Sequence, residues 1–194
     1  MELPYESHTI DILKGEQFNS EFVKINPNSK IPAIIDPEGP EGKPLEMMES
    51  GSILIYLAEK SGRFLSANDR TRAKTLQWLF FQMANVGPMF GQFGHFYKYA
   101  TDKCQDPYPL NRYKNETIRL LNVLDDQFEK KPYLAGNEYS IADIATVPWI
   151  NCLDQFYQAQ DDLNLYSFKR VMDWRERCSS RPAFQKGEKI CPVE

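Results

Sequence analysis

Two short segments put chemistry-bearing groups where a backbone can present them. Asn26-Pro27-Asn28-Ser29-Lys30-Ile31-Pro32 ends in a proline that opens a β-branched apolar stretch, and Met48-Glu49-Ser50-Gly51 stands where a strand-like run gives way to a helix-like one. A proline at the start of a strand offers no N–H to a neighbour, an arrangement served by a cis Ile31–Pro32 peptide that turns the preceding backbone outward. Ile31 then presents its own N–H and C=O to a ligand lying extended like an added strand. At the second segment, Ser50 Oγ and the first helical N–H groups form a site for a carboxylate, because those N–H groups lack intrahelical acceptors and carry the positive end of the helix dipole. Glu49 beside them offers an anion for an ammonium group. Such a surface fits an extended ligand with a peptide middle and an amino-acid end.

The elements that must hold these segments are mixed α and β over residues 1 to about 65. Tyr5–Ile12 alternates weakly, Ile31–Asp36 is compact and β-branched, and Pro44–Met48 follows the turn-rich run Asp36-Pro37-Glu38-Gly39-Pro40-Glu41-Gly42, so three strands are expected, the last two as a hairpin. Apolar residues at 53, 54, 57 and 58 then recur at helical spacing until Gly62. From Asn68 the spacing is helical almost throughout, predicting helices over 68–99, 108–130, 141–156 and 168–178, with Gly87-Pro88 bending the first. Ser140-Ile141-Ala142-Asp143 reads as a capping box opening a buried helix, with Tyr139 and Ile144 as its staple.

Composition narrows the function. With 23 Lys and Arg against 27 Asp and Glu, the net charge is -4 and no basic field exists for a phosphate backbone, which argues against nucleic acid. No window approaches the roughly 18 consecutive apolar residues of a membrane span, and the start lacks a signal peptide's basic and apolar regions, so a cytoplasmic protein is expected. Cys104, Cys152, Cys178 and Cys191 are scattered, and His8 and His95 are the only histidines, which supplies neither a metal site nor a Ser-His-Asp triad.

The segments N-P-N-x-K-I-P-A, E-S-x-x-I-x-x-Y-L-A and S-I-A-D-I-A occur here in the order and spacing of the cytosolic glutathione S-transferases, and the chain resembles that family over essentially its whole length. Leu76-Gln77-Trp78-Leu79-Phe80-Phe81-Gln82 with Gly87-Pro88-Met89-Phe90-Gly91-Gln92 is similar to the bacterial Nu class and the related fungal nitrogen-regulator-like group. The resemblance implies a thioredoxin-like glutathione-binding domain over 1–65, incomplete at its start, and an all-α helical domain over 68–194. By the same resemblance Ile31, followed by Pro32, pairs with the cysteinyl backbone of glutathione, Glu49 and Ser50 hold its γ-glutamyl end, Gln17 and Lys30 contact the glycine side, and Arg112 reaches a second glutathione. It further implies a homodimer, whose interface includes the helix starting near Ser50 and the helix with Trp78, and reduction of small disulfides or conjugation of electrophiles with glutathione as cosubstrate. The alternative is a non-catalytic glutathione-binding module for regulation or assembly.

Taken singly, Ser50 is equally a helix N-cap, Lys30 and Gln17 are loop residues, and Arg112 is an exposed helix charge. Their joint occurrence in one family's order favours the site. In the family, a strand and helix of about twenty residues stand before the segment matching Leu3-Pro4-Tyr5-Glu6 and carry the groups that polarise the glutathione sulfur. No residue of this sequence is assigned that catalytic role. Either a longer chain supplies the strand, or residues 1–12 rearrange and activity is low.

Overall fold

The structure is a computed structural model that describes residues 1–191. It divides into two compact units, Met1–Arg63 together with the stretch from Lys186, and Phe64–Gln185.

In the first unit, Asn19 opens α1 (Ser20–Ile25) by accepting the Glu21 N–H at 3.2 Å. Strands β1 (Ala33–Asp36) and β2 (Leu45–Met48) pair antiparallel, with Ala33 opposite Met48 and Asp36 opposite Leu45. Their connection requires Gly39, where a Cβ would lie 2.5 Å from the Lys43 carbonyl oxygen. Helix α2 (Ser50–Ser61) follows at once and ends at Gly62 in the left-handed region. The Ile31–Pro32 peptide is cis, in keeping with the sequence.

Two expectations are corrected and one unassigned element is added. Tyr5–Ile12 is not a strand, because a weakly alternating segment becomes one only by pairing, and the sheet among the described residues holds β1 and β2 alone. Ser50 is not the N-cap but the first helical residue, with Glu49 as the cap. Helix α1 lies in a stretch to which the sequence reading assigns no element, its six residues being too short to show a helical period.

The second unit is helical. Helix α3 (Asp69–Phe81) passes through a π-helical turn at Gln82–Val86 into α4 (Gly87–Gly94) and a second π turn at His95–Tyr99. Just before Pro88, where a bend is expected, the helix widens, the Gly87 N–H reaching back to the Gln82 carbonyl. Helix α5 (Pro107–Phe128) is capped by Asp106, and α6 (Ile141–Asn151) continues into a third π turn at Cys152–Phe156, beyond its internal Pro148. Helix α7 (Lys169–Ser179) follows, and α8 (Pro182–Gly187), which runs past Gln185 where this unit ends, is the last element among the described residues.

The core of this unit forms around the capping box. Burial pushes the Asp143 carboxyl up, against four donors that favour its charge: the Ser140 N–H and hydroxyl at 3.0 and 2.9 Å, the Leu134 N–H at 3.0 Å and the Trp174 Nε1–H at 2.9 Å. Trp174 is itself fully buried and stacks on Phe128 at 4.7 Å between ring centres. One carboxylate therefore ties the start of α6 to α7 and to the preceding loop.

Candidate functional site

The sequence-predicted residues fall in both units: Gln17, Lys30, Ile31, Pro32, Glu49 and Ser50 in the first and Arg112 in the second. Because β1 and β2 pair with Ala33 opposite Met48, Ile31-Pro32 and Glu49-Ser50 flank the same end of the hairpin. The two segments singled out by their chemistry, far apart in sequence, are brought together by strand pairing.

The approach to Ile31 is built by Asn26, which sequence reasoning left without a role. Asn26 is buried, its Oδ1 accepts the Asn28 N–H at 2.9 Å, and its Nδ2 donates to the Lys30 carbonyl. A side-chain amide that substitutes for backbone partners on both sides of a turn fixes the loop between α1 and β1. The Asn-Pro-Asn run is the sequence signal for it. Beyond this loop, 52% of Ile31 is exposed, and neither its N–H nor its C=O enters a hydrogen bond among the described residues. Such backbone is available to an extended partner. Lys30 is exposed and forms no ion pair among the described residues.

Glu49 has φ 67° and ψ 110°, a region that a residue with a Cβ enters at a cost, and strained backbone of this kind gathers at binding sites. Its carboxylate makes no cap hydrogen bond to α2 and no ion pair among the described residues. The Ile53 N–H returns to the Glu49 carbonyl at 2.9 Å, so the N–H groups of the first turn before it lie ahead of the intrahelical ladder. An anion and an anion-binding helix start thus stand side by side, an arrangement suited to a zwitterionic amino-acid end.

Gln17 lies in the short 3-10 turn Glu16–Phe18, and its Oε1 is buried with no hydrogen-bond partner among the described residues. An unmatched buried amide oxygen is an acceptor awaiting a donor. In the second unit Arg112 is an exposed residue on α5, one turn before Glu116, which it helps to hold below the usual carboxylate range after the larger effect of Arg119. Arg112 itself forms no ion pair among the described residues.

The cysteines are free. Burial pushes the Cys152 and Cys178 thiols up, away from the thiolate form that attacks disulfides. Among the described residues no group of three or more His, Cys, Asp or Glu side chains could hold a metal ion, and no helix is long and apolar enough to cross a membrane.

With this geometry in hand, comparison with known proteins is specific. Residues 1–59 match the glutathione S-transferase N-terminal domain and residues 110–182 the glutathione S-transferase C-terminal domain. The chain is 48% identical over 183 residues to the disulfide-bond oxidoreductase YfcG of Escherichia coli, covering 94% of this chain and 82% of that one. A Pseudomonas putida glutathione transferase, solved with one glutathione disulfide bound per subunit, is similar with a TM-score of 0.95 and 46% identity over 98% of this chain and 82% of its own. A glutathione transferase family member from Pseudomonas fluorescens, solved with two glutathione molecules bound, gives a TM-score of 0.94 and 46% identity over 97% and 83% of the two chains.

Proposed function

This chain belongs to the glutathione S-transferase family, and from that premise we propose that it is an enzyme that uses glutathione to reduce small disulfides. The observation that carries the reading is the single hairpin end at which the unpaired Ile31 backbone meets the strained Glu49 and the start of α2. Glutathione is an extended peptide with a zwitterionic γ-glutamyl end, so the Ile31 N–H and C=O take its cysteinyl backbone, Glu49 its ammonium and Ser50 with the helix start its carboxylate. Pro32 fixes the turn between Ile31 and β1. Gln17 and Lys30 serve the glycine side, and Arg112 a second glutathione.

In the reaction, the thiolate of one glutathione attacks a sulfur of the substrate disulfide, releasing one thiol and leaving a mixed disulfide. The second glutathione thiolate attacks the glutathione sulfur of that intermediate, releasing the other thiol and glutathione disulfide. Two glutathione molecules are oxidised, one disulfide is reduced, and the two protons lost from the glutathione thiols end on the product thiols. The same bound thiolate can attack a carbon electrophile. Burial that pushes the Cys152 and Cys178 thiols up disfavours those two side chains as the nucleophile and leaves the role to glutathione sulfur.

We take the protein to be a cytoplasmic homodimer. Its free cysteines suit a reducing compartment, and Phe80, 60% exposed on α3 beside Trp78 and Phe81, suits a surface covered by a second copy.

The test joins calorimetric titration with glutathione to a coupled assay of 2-hydroxyethyl disulfide reduction. Binding with turnover is expected, and Glu49→Ala should weaken binding about tenfold, equivalent to ~1.4 kcal/mol, with the melting temperature unchanged. Binding without turnover would instead indicate a regulatory or assembly module, and no binding would sink the reading.

A further inference from the structure

Asp36 ends β1 at the opposite end of the strand from Ile31, and only 11% of its side chain is exposed. Its two oxygens have separate uses. Oδ1 accepts the Glu38 N–H at 3.0 Å and so shapes the hairpin turn. Oδ2 accepts the Tyr56 hydroxyl at 2.6 Å and the Lys60 ammonium, both from α2. Tyr56 and Lys60 are one helical turn apart and therefore project from one face, and Lys60 also donates to the Glu38 carbonyl at 2.9 Å.

An exposed ion pair contributes little because water competes for both charges. This one is different in kind: a largely covered carboxylate is shared by a hydroxyl and an ammonium, and the contact joins two elements across 20 and 24 residues of sequence. Hydrogen bonding to Lys60, then to Tyr56, holds the Asp36 carboxyl below its usual range, and Asp36 in turn holds Lys60 above its own. The fully buried residues of α2 are Gly51, Ile53 and Ala58, so the contact at Tyr56 and Lys60 adds a polar anchor beyond them.

The consequence lies at the other end of the helix. Only Glu49 separates β2 from α2, so a helix released at Tyr56 and Lys60 can swing about that residue and re-aim the N–H groups of its first turn relative to Ile31. We propose that Asp36, acting through Tyr56 and Lys60, is a positioning residue that holds the Glu49–Ser50 helix start in the orientation toward the Ile31 backbone that one glutathione requires. This rests on the glutathione reading of the hairpin end given above. Sites of this kind need their groups fixed within about 0.5 Å, and a bracket pinned at its far end supplies that.

Removing Tyr56 and Lys60 while keeping Asp36 spares the turn made by Oδ1, so the Tyr56→Phe/Lys60→Met variant of the full chain is the instrument, with Tyr56→Phe alone should the double variant fail to fold. Measured well below the melting temperature, Kd for glutathione should rise about fivefold, with KM rising equally and kcat within about twofold of wild type. General loosening would lower kcat through loss of active protein and leave KM in place. In a Glu49→Ala background the same change should cost less than about twofold, because the group it positions is gone. An unchanged Kd, or equal costs in both backgrounds, overturns the positioning role while leaving the glutathione site standing. Failure of the wild-type chain to bind glutathione overturns both.

Discussion

In the second unit Trp174, Phe90 and Phe93 have no exposed surface, and the buried carboxylate of Asp143 has four donors. Among the described residues of the first unit the buried apolar ones are Phe22, Ile53 and Ala58, while Tyr5, Ile12, Leu13, Phe18, Ile31 and Ile35 are all exposed, Leu13 by 84%. The contrast separates two jobs. Buried apolar area and satisfied polar groups give one unit its stability. The other has few buried apolar residues and a strained backbone at Glu49, a state that costs stability.

The largest effect expected from this contrast is at Asp143. Asp143→Ala strands four buried donors and should lower unfolding stability by about 3 kcal/mol in a urea titration, with glutathione affinity unchanged in the folded fraction. An unchanged midpoint would break the comparison at its strongest point. Phe80→Glu probes the second unit's surface instead. Light scattering should report half the wild-type mass with the urea midpoint shifted by less than about 0.5 kcal/mol, whereas a persistent dimer would remove Phe80 from the interface. The smallest change is expected at Glu49→Gly, which relieves a positive φ and should stabilise the protein by about 1 kcal/mol while weakening glutathione binding. Loss of stability in that variant would show that Glu49 supports the fold after all.

Much of this was legible in advance where the governing interactions are short in sequence. Helical spacing over 68–99 and 141–156 corresponds to continuous helical runs at 69–99 and 141–156, and Ser140 with Asp143 forms the expected box. The hairpin of β1 and β2 and the cis Ile31–Pro32 peptide lie where β-branched residues and proline placed them. Tyr5–Ile12 failed as a strand because alternation states which faces a strand would have, not whether a neighbour exists to pair with it. The π turn before Pro88 escaped notice because a missing proline N–H says that a helix must adjust, and not how.

The sequence by itself determined the types and local settings of the candidate site groups: a proline after Ile31, and a glutamate and serine at a helix start. Their assembly was decided only by tertiary structure. Pairing of Ala33 with Met48 set Ile31 beside Glu49, and one oxygen of Asp36, bound to Tyr56 and Lys60, joined the far end of that hairpin to α2. Periodicity, caps and proline act over a turn or two of chain and can be read along it, whereas a hydrogen bond between residues twenty or more apart depends on where folding has carried both partners.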